Sequence, residues 1–125
     1  MPIQLDALHN RVARHAAQGV LAAAAKAKIP VFRLETHKTR NKAELLKLLA
    51  QALALPRHFG ENWDALADCL MDANWLPPAG CVILWSGEKA FASAAGEDHE
   101  VLREVFAESA QFWQERGKPF HVFLA

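Results

Sequence analysis

Apolar positions along the chain change period several times. Ile3, Leu5, Leu8, Val12 and Ala16 recur at helical intervals, and an Ala-rich stretch follows from 20 to 28. Residues 3 to 28 are therefore expected to be helical, divided near Gly19. Pro30 ends that region, and Val31-Phe32-Arg33-Leu34-Glu35 alternates as a strand does. Asn41 followed by Glu44 gives a capping-box pattern ahead of Leu45, Leu46, Leu48, Leu49, Ala52 and Leu53, which predicts a helix to about Leu53. After a connection holding Pro56 and Gly60, a second amphipathic helix is expected through Asp72. Asn74 to Gly80, with Pro77 and Pro78, reads as a loop. Cys81-Val82-Ile83-Leu84-Trp85 is a continuous apolar run of strand length, as in a strand covered on both faces. A short helix within 86–95 and a longer one from about Asp98 to Arg116 follow. The longer helix turns Leu102, Val105, Phe106, Phe112 and Trp113 inward, and Phe120 to Leu124 forms the last strand. Three strands separated by helical crossovers predict an α/β fold, a three-stranded parallel sheet with helices packed on it and right-handed connections.

The helix expected at 61–72 carries the most unusual charge pattern. Glu61, Asp64, Asp68 and Asp72 follow i, i+3, i+7, i+11 spacing and share a face, while Trp63, Leu66 and Leu70 lie opposite. A row of this kind is ordinarily a solvated helix face. Here no Lys or Arg occurs between Arg57 and Lys89, so the row lacks partners of opposite sign. Like charges at that spacing cost a few tenths of a kcal/mol per pair. The helix dipole also disfavours a carboxylate near the last turn, where Asp72 is expected. Stability alone would place Lys there, so the row points to something outside the helix.

Length and composition narrow the possibilities. The 125 residues suit one domain, and 52% hydrophobic with 22% charged residues is the make-up of a globular protein. Formal net charge is zero, which argues against whole-molecule attraction to nucleic acid or an anionic membrane. Lys and Arg dominate the first 42 residues, whereas 61–72 is purely acidic. Cys69 and Cys81 are too few for a disulfide framework and read as small core residues in a reducing compartment. Nothing resembles a signal peptide or a membrane span, so a cytoplasmic protein is expected.

Catalytic motifs are missing: no Gly-rich phosphate loop, no H-E-x-x-H and no nucleophile elbow. Asp64 and Asp68 could work as an acid–base pair or bind a hard cation, and His58 beside them could be a general base. A convex helix surface is a poor setting for either, and neither an enzyme nor a bound metal or cofactor is expected. Phe59 and Trp63 suit packing better than base stacking, and the acidic surroundings oppose direct nucleic-acid binding.

The run Pro56-Arg57-His58-Phe59-Gly60-Glu61-Asn62-Trp63-Asp64-Ala65-Leu66-Ala67-Asp68-Cys69-Leu70 resembles the central motif of the barstar family, the intracellular inhibitors of barnase-type ribonucleases. The resemblance runs from about Val31 to the C-terminus, with residues 1–30 as an N-terminal helical extension and 31–125 as a barstar-like domain. It implies a small α/β fold and an inhibitor or immunity protein acting by occlusion. In barstar-like inhibitors an acidic helix and the loop before it enter the ribonuclease's basic active site, where carboxylates take the place of RNA phosphates. Carried over residue by residue, Asp64 and Asp68 match the two helix aspartates, with Asp68 the larger contributor. Gly60 and Asn62 match the loop-to-helix turn, Gly60 through close approach or a positive φ. His58 and Phe59 stand in the place of an aromatic pair, Glu61 and Asp72 extend the row, and Glu108 on the later helix aligns with a further acidic contact. The implied partner is a basic, barnase-like microbial ribonuclease, and the protein is expected to be a monomer when free.

This chain departs from the best-known family pattern in having Ala67 where an aromatic residue stands, in its neutral charge, and in its basic first thirty residues. A barstar-fold adaptor or regulator with a different basic protein partner therefore remains an alternative.

Overall fold

The computed structural model describes residues 3–56 and 59–125. In chain order it contains β1 (Val12–Arg14), α1 (Ala17–Ala27), β2 (Val31–Glu35), α2 (Lys42–Ala52), α3 (Trp63–Leu70), β3 (Cys81–Ser86), α4 (Glu88–Ala94), α5 (Gly96–Glu115) and β4 (Phe120–Leu124). The strands form one parallel sheet in the order β1-β4-β3-β2. The α/β class holds, and the sheet has four strands where the hydrophobic pattern gave three.

Strand order fixes the layers. From β2 to β3 to β4 the chain steps in one direction, so right-handed crossovers put α2, α3 and α5 on the same face. From β1 it returns across the sheet to β2, which puts α1 on the other face. Burial agrees with this. Leu34, Ile83, Trp85, Phe120, Val122 and Leu124 pack with Leu49, Leu66, Leu70, Phe106 and Trp113 on the first face. Val82, Leu84 and Phe123 alternate with them and pack against Val20 and Ala24 on the second. Covered on both sides, Cys81 to Trp85 are all buried, which is why that run is continuously apolar.

Residues 3–16 differ from the helix expected there. Val12–Arg14 pairs with Val122–Leu124 as β1, and among the described residues of this region helix begins only at Ala17. The helical spacing of Leu8, Val12 and Ala16 is outweighed by backbone pairing with a strand far along the chain. Asn10 holds the junction: its Nδ2 donates to the Ala110 and Lys118 carbonyls at 3.0 and 2.9 Å, and its Oδ1 accepts from the Phe120 N–H at 3.1 Å. Gly19 lies inside α1 and does not divide it. A Cβ there would sit 2.7 Å from His15 Cε1, so the glycine makes room for that ring.

A buried polar cluster ties the added strand to the helices. Glu88 is only 4% exposed, accepts from Arg14 through one oxygen, and lies 2.6 Å from His99 Nε2 through the other. Burial alone would raise the Glu88 carboxyl. The hydrogen bonds from His99 and Arg14, with the Arg14 charge, outweigh it and hold the group below its usual range.

His121 on β4 is the opposite case. It is fully buried, both ring nitrogens lack a hydrogen-bond partner among the described residues, and its ring stacks on Phe123 at 6.1 Å. Burial, helped by the Arg11 charge, pushes its pKa down to about 4. The unfolded chain protonates near 6.5, so between those values it holds a proton that the fold excludes. Stability is thus expected to rise with pH from about 4 to about 6.5 and then level off, by roughly 3 kcal/mol from this group. His121→Leu should remove most of that slope when urea midpoints are compared at the two ends of the window. An unchanged slope in the variant would contradict the assignment.

Candidate functional site

Local chemistry decides where α3 begins and ends. Asn62 has extended backbone (φ −139°), and its side-chain oxygen accepts from the Ala65 N–H at 2.8 Å, which makes it the N-cap. Its Nδ2 donates in turn to the Gly60 carbonyl at 3.3 Å. A Cβ on Gly60 would lie 3.2 Å from that amide nitrogen. Close approach is therefore Gly60's role, and the positive φ of this turn falls on Glu61 instead, at 50°. A non-glycine residue there carries a strain of order 1 kcal/mol.

At the other end, Met71 closes the helix and the Asp72 carboxylate accepts from the Asn74 N–H at 2.8 Å. A side chain that satisfies the backbone of the next turn competes with further helix. The expected single helical row is corrected accordingly. Asp64 and Asp68 lie on α3, one turn apart, while Glu61 precedes the cap and Asp72 follows the end. All four side chains remain exposed.

The inner face of α3 is firmly held. Leu66 and Leu70 are fully buried, and the Trp113 indole N–H donates to the Leu70 carbonyl at 2.8 Å, satisfying one of the acceptors a helix end leaves open. Trp63 is half-buried, with Lys42 Nζ 5.9 Å from the centre of its ring. Among the described residues, none of Glu61, Asp64, Asp68 and Asp72 joins a salt bridge. Asp64 in the first turn gains from the helix dipole, but Asp68 lies in the last turn, where the dipole opposes a carboxylate and no basic residue accompanies it.

The remaining expected residues are placed less uniformly. Phe59 is buried in the main core. His58 lies outside the described residues. Glu108 is exposed on α5, and no hydrogen bond or salt bridge joins it to Asp64 or Asp68 among the described residues. An open cleft of about 520 Å³, which the residue pattern does not reveal, lies beside α3 between the α2–α3 connection and the turn after α3. Pro56, Phe59, Ala65 and Trp75 line it, as do Asp68 and Asp72. The sequence signal for Trp75 was a large aromatic in a proline-rich loop next to the acidic row.

Among the described residues, no group of three or more His, Cys, Asp or Glu is placed to hold a metal, and no helix is long and apolar enough to cross a membrane. Cys69 and Cys81 are free thiols. Burial, then Asp72 and Asp68, raises the Cys69 thiol, and burial raises that of Cys81 further, so both are held neutral.

Because Asn62 both caps α3 and sets the turn before it, Asn62→Ala is expected to cost about 1 kcal/mol of stability, with Asn62→Asp close to wild type. Chemical denaturation measures this; equal loss in both variants would show that the cap is not what Asn62 contributes.

Comparison with known proteins adds the family. No curated relative matches the chain. A family model described as Barstar (barnase inhibitor) matches residues 29–125, from just before β2 through β4, leaving β1 and α1 outside the match. That span holds most of the sequence, α3 and its carboxylates included, and the chain belongs to the barstar family.

Proposed function

We propose that the protein is an intracellular inhibitor of a basic, barnase-type ribonuclease, with α3 and the turn before it as the blocking surface. The observation that carries this reading is the pair Asp64 and Asp68. They stand one turn apart on a helix anchored by buried leucines, exposed, and with no cation of their own among the described residues. A ribonuclease pocket is built to bind the phosphates of a polyanion, and two fixed carboxylates supply matching acceptors for its Arg and Lys side chains. Occlusion of this kind needs no catalytic group, cofactor or metal on the inhibitor. Glu61 and Asp72 extend the negative surface, Gly60 and Asn62 fix its geometry, and Phe59 supports it from below. His58 and Glu108 complete the proposed contact set. The acidic surface repels nucleic acid itself, and the free protein acts as a monomer in the cytoplasm.

A different basic protein as partner is the second reading, favoured by the net charge of zero. Without an overall negative field, long-range steering toward a cationic enzyme rests on the α3 surface alone.

The test is inhibition of a panel of purified barnase-type ribonucleases. Asp68→Ala should cost roughly 3–5 kcal/mol, about two to three and a half decades in Kd, because it leaves the partner's cation buried without its carboxylate. Association should slow as salt rises. If the double variant Asp64→Ala/Asp68→Ala inhibits as well as wild type, the α3 surface is not the inhibitory element. If no ribonuclease is inhibited while another basic protein binds through the same residues, the second reading replaces the first.

A further inference from the structure

The cleft beside α3 shares Phe59, Asp68 and Asp72 with the blocking surface and adds Trp75 to it. Ala65, Asp68 and Cys69 of α3 line it together with Asp72 just past the helix end, whereas Asp64 does not. Its aromatic wall is fixed in advance. The Trp75 indole N–H donates to the Leu53 carbonyl at 2.7 Å, and its ring stacks on Phe32 at 5.6 Å and leans on Phe120 at 6.3 Å. The Asp72 carboxylate is oriented as well, with one oxygen accepting from Asn74 N–H and the other joined to no hydrogen-bond donor among the described residues. Neither Asp68 nor Asp72 has a cationic partner among the described residues.

These features select the occupant. An anion is excluded by the two carboxylates, and a purely apolar group would strip water from them without replacing it. A lysine head is a compact, strongly hydrated charge that gains little from aromatic walls. A guanidinium has weakly hydrated flat faces suited to an aromatic lining such as Trp75 and Phe59, and five N–H donors for the carboxylates. A space of about 520 Å³ admits the whole side chain with part of its neighbour, and lies within the range of roughly 300–1,000 Å³ typical of ligand sites.

We propose that the partner protein inserts an arginine side chain into this cleft, its guanidinium plane against the Trp75 and Phe59 wall and its N–H groups on Asp68 and Asp72. This rests on the reading of α3 as a docking surface for a basic protein, and adds Asp72 and Trp75 as the residues that discriminate arginine from lysine. Asp68 is shared by both surfaces, so the cleft extends the contact around the end of α3.

The experiment titrates the full chain with Nα-acetyl-arginine amide, and separately with the lysine and citrulline counterparts, following the Trp75 indole N–H by heteronuclear NMR. A saturable shift is expected with arginine, a weaker one with lysine, and none with citrulline, which keeps the shape but not the charge. Asp72→Asn retains the oxygen that accepts from Asn74, so the turn is preserved, and it should weaken arginine binding roughly tenfold, as loss of a charge-assisted hydrogen bond does. A silent Trp75, an equal response to citrulline, or an unaffected Asp72→Asn variant would each overturn the proposal. The ribonuclease assay reports separately. Full inhibition with no arginine response removes the cleft alone, whereas arginine binding without inhibition of any ribonuclease removes the inhibitor reading and keeps the cleft.

Discussion

Two like charges one helical turn apart repel, and in this molecule Asp64 and Asp68 are held there regardless. The magnitudes explain how. Repulsion at that spacing costs a few tenths of a kcal/mol in water, and the adverse dipole at Asp68 adds an amount of similar size. Leu66 and Leu70, both fully buried on the opposite face, each contribute on the order of 2 kcal/mol. Packing therefore wins by a wide margin, and the outer face of α3 is free to carry a charge pattern that the fold itself does not need.

The rest of the fold keeps that helix still. Trp113 from α5 grips the last turn of α3, Trp75 clamps the α3–β3 loop to the end of α2, and the Asn62 cap sets the angle at which the chain arrives. A partner docking on α3 as proposed would order little that is not already ordered, which is where preorganised surfaces gain affinity. The opposite edge of the sheet is treated in the same way. Asn10 and the Arg14–Glu88–His99 cluster fasten β1 with hydrogen-bonded, charge-compensated groups, so that Glu88 is buried without being an unpaired charge.

Where the sequence predicted structure well, the information was local. β2 and β3 announce themselves by alternation and by a continuous apolar run. The Asn41 cap is visible three residues before Glu44, and its side chain accepts from the Glu44 N–H as the spacing implies. The carboxylates of α3 were legible because neighbours of opposite sign are missing from the sequence around them. β1 was not legible, since three residues carry too little pattern to outweigh the helical spacing of Leu8, Val12 and Ala16; its identity resides in β4. Nor was the shortened α3, whose limits depend on which side chains cap the backbone. The cleft needed Phe59 and Trp75, sixteen positions apart, to be brought to one side of α3, and no periodicity encodes that.

The placement of β1 also bears on how the molecule is made. Asn10 and its partner Phe120 are 110 residues apart, so the strand that emerges early from the ribosome has no strand to pair with until β4 has followed it. Loop-closure entropy over such a span is large, and contacts of that range form late and slowly. β2, α2, α3 and β3 are contiguous and can associate first, which lets the acidic helix take shape while the N-terminal segment still waits.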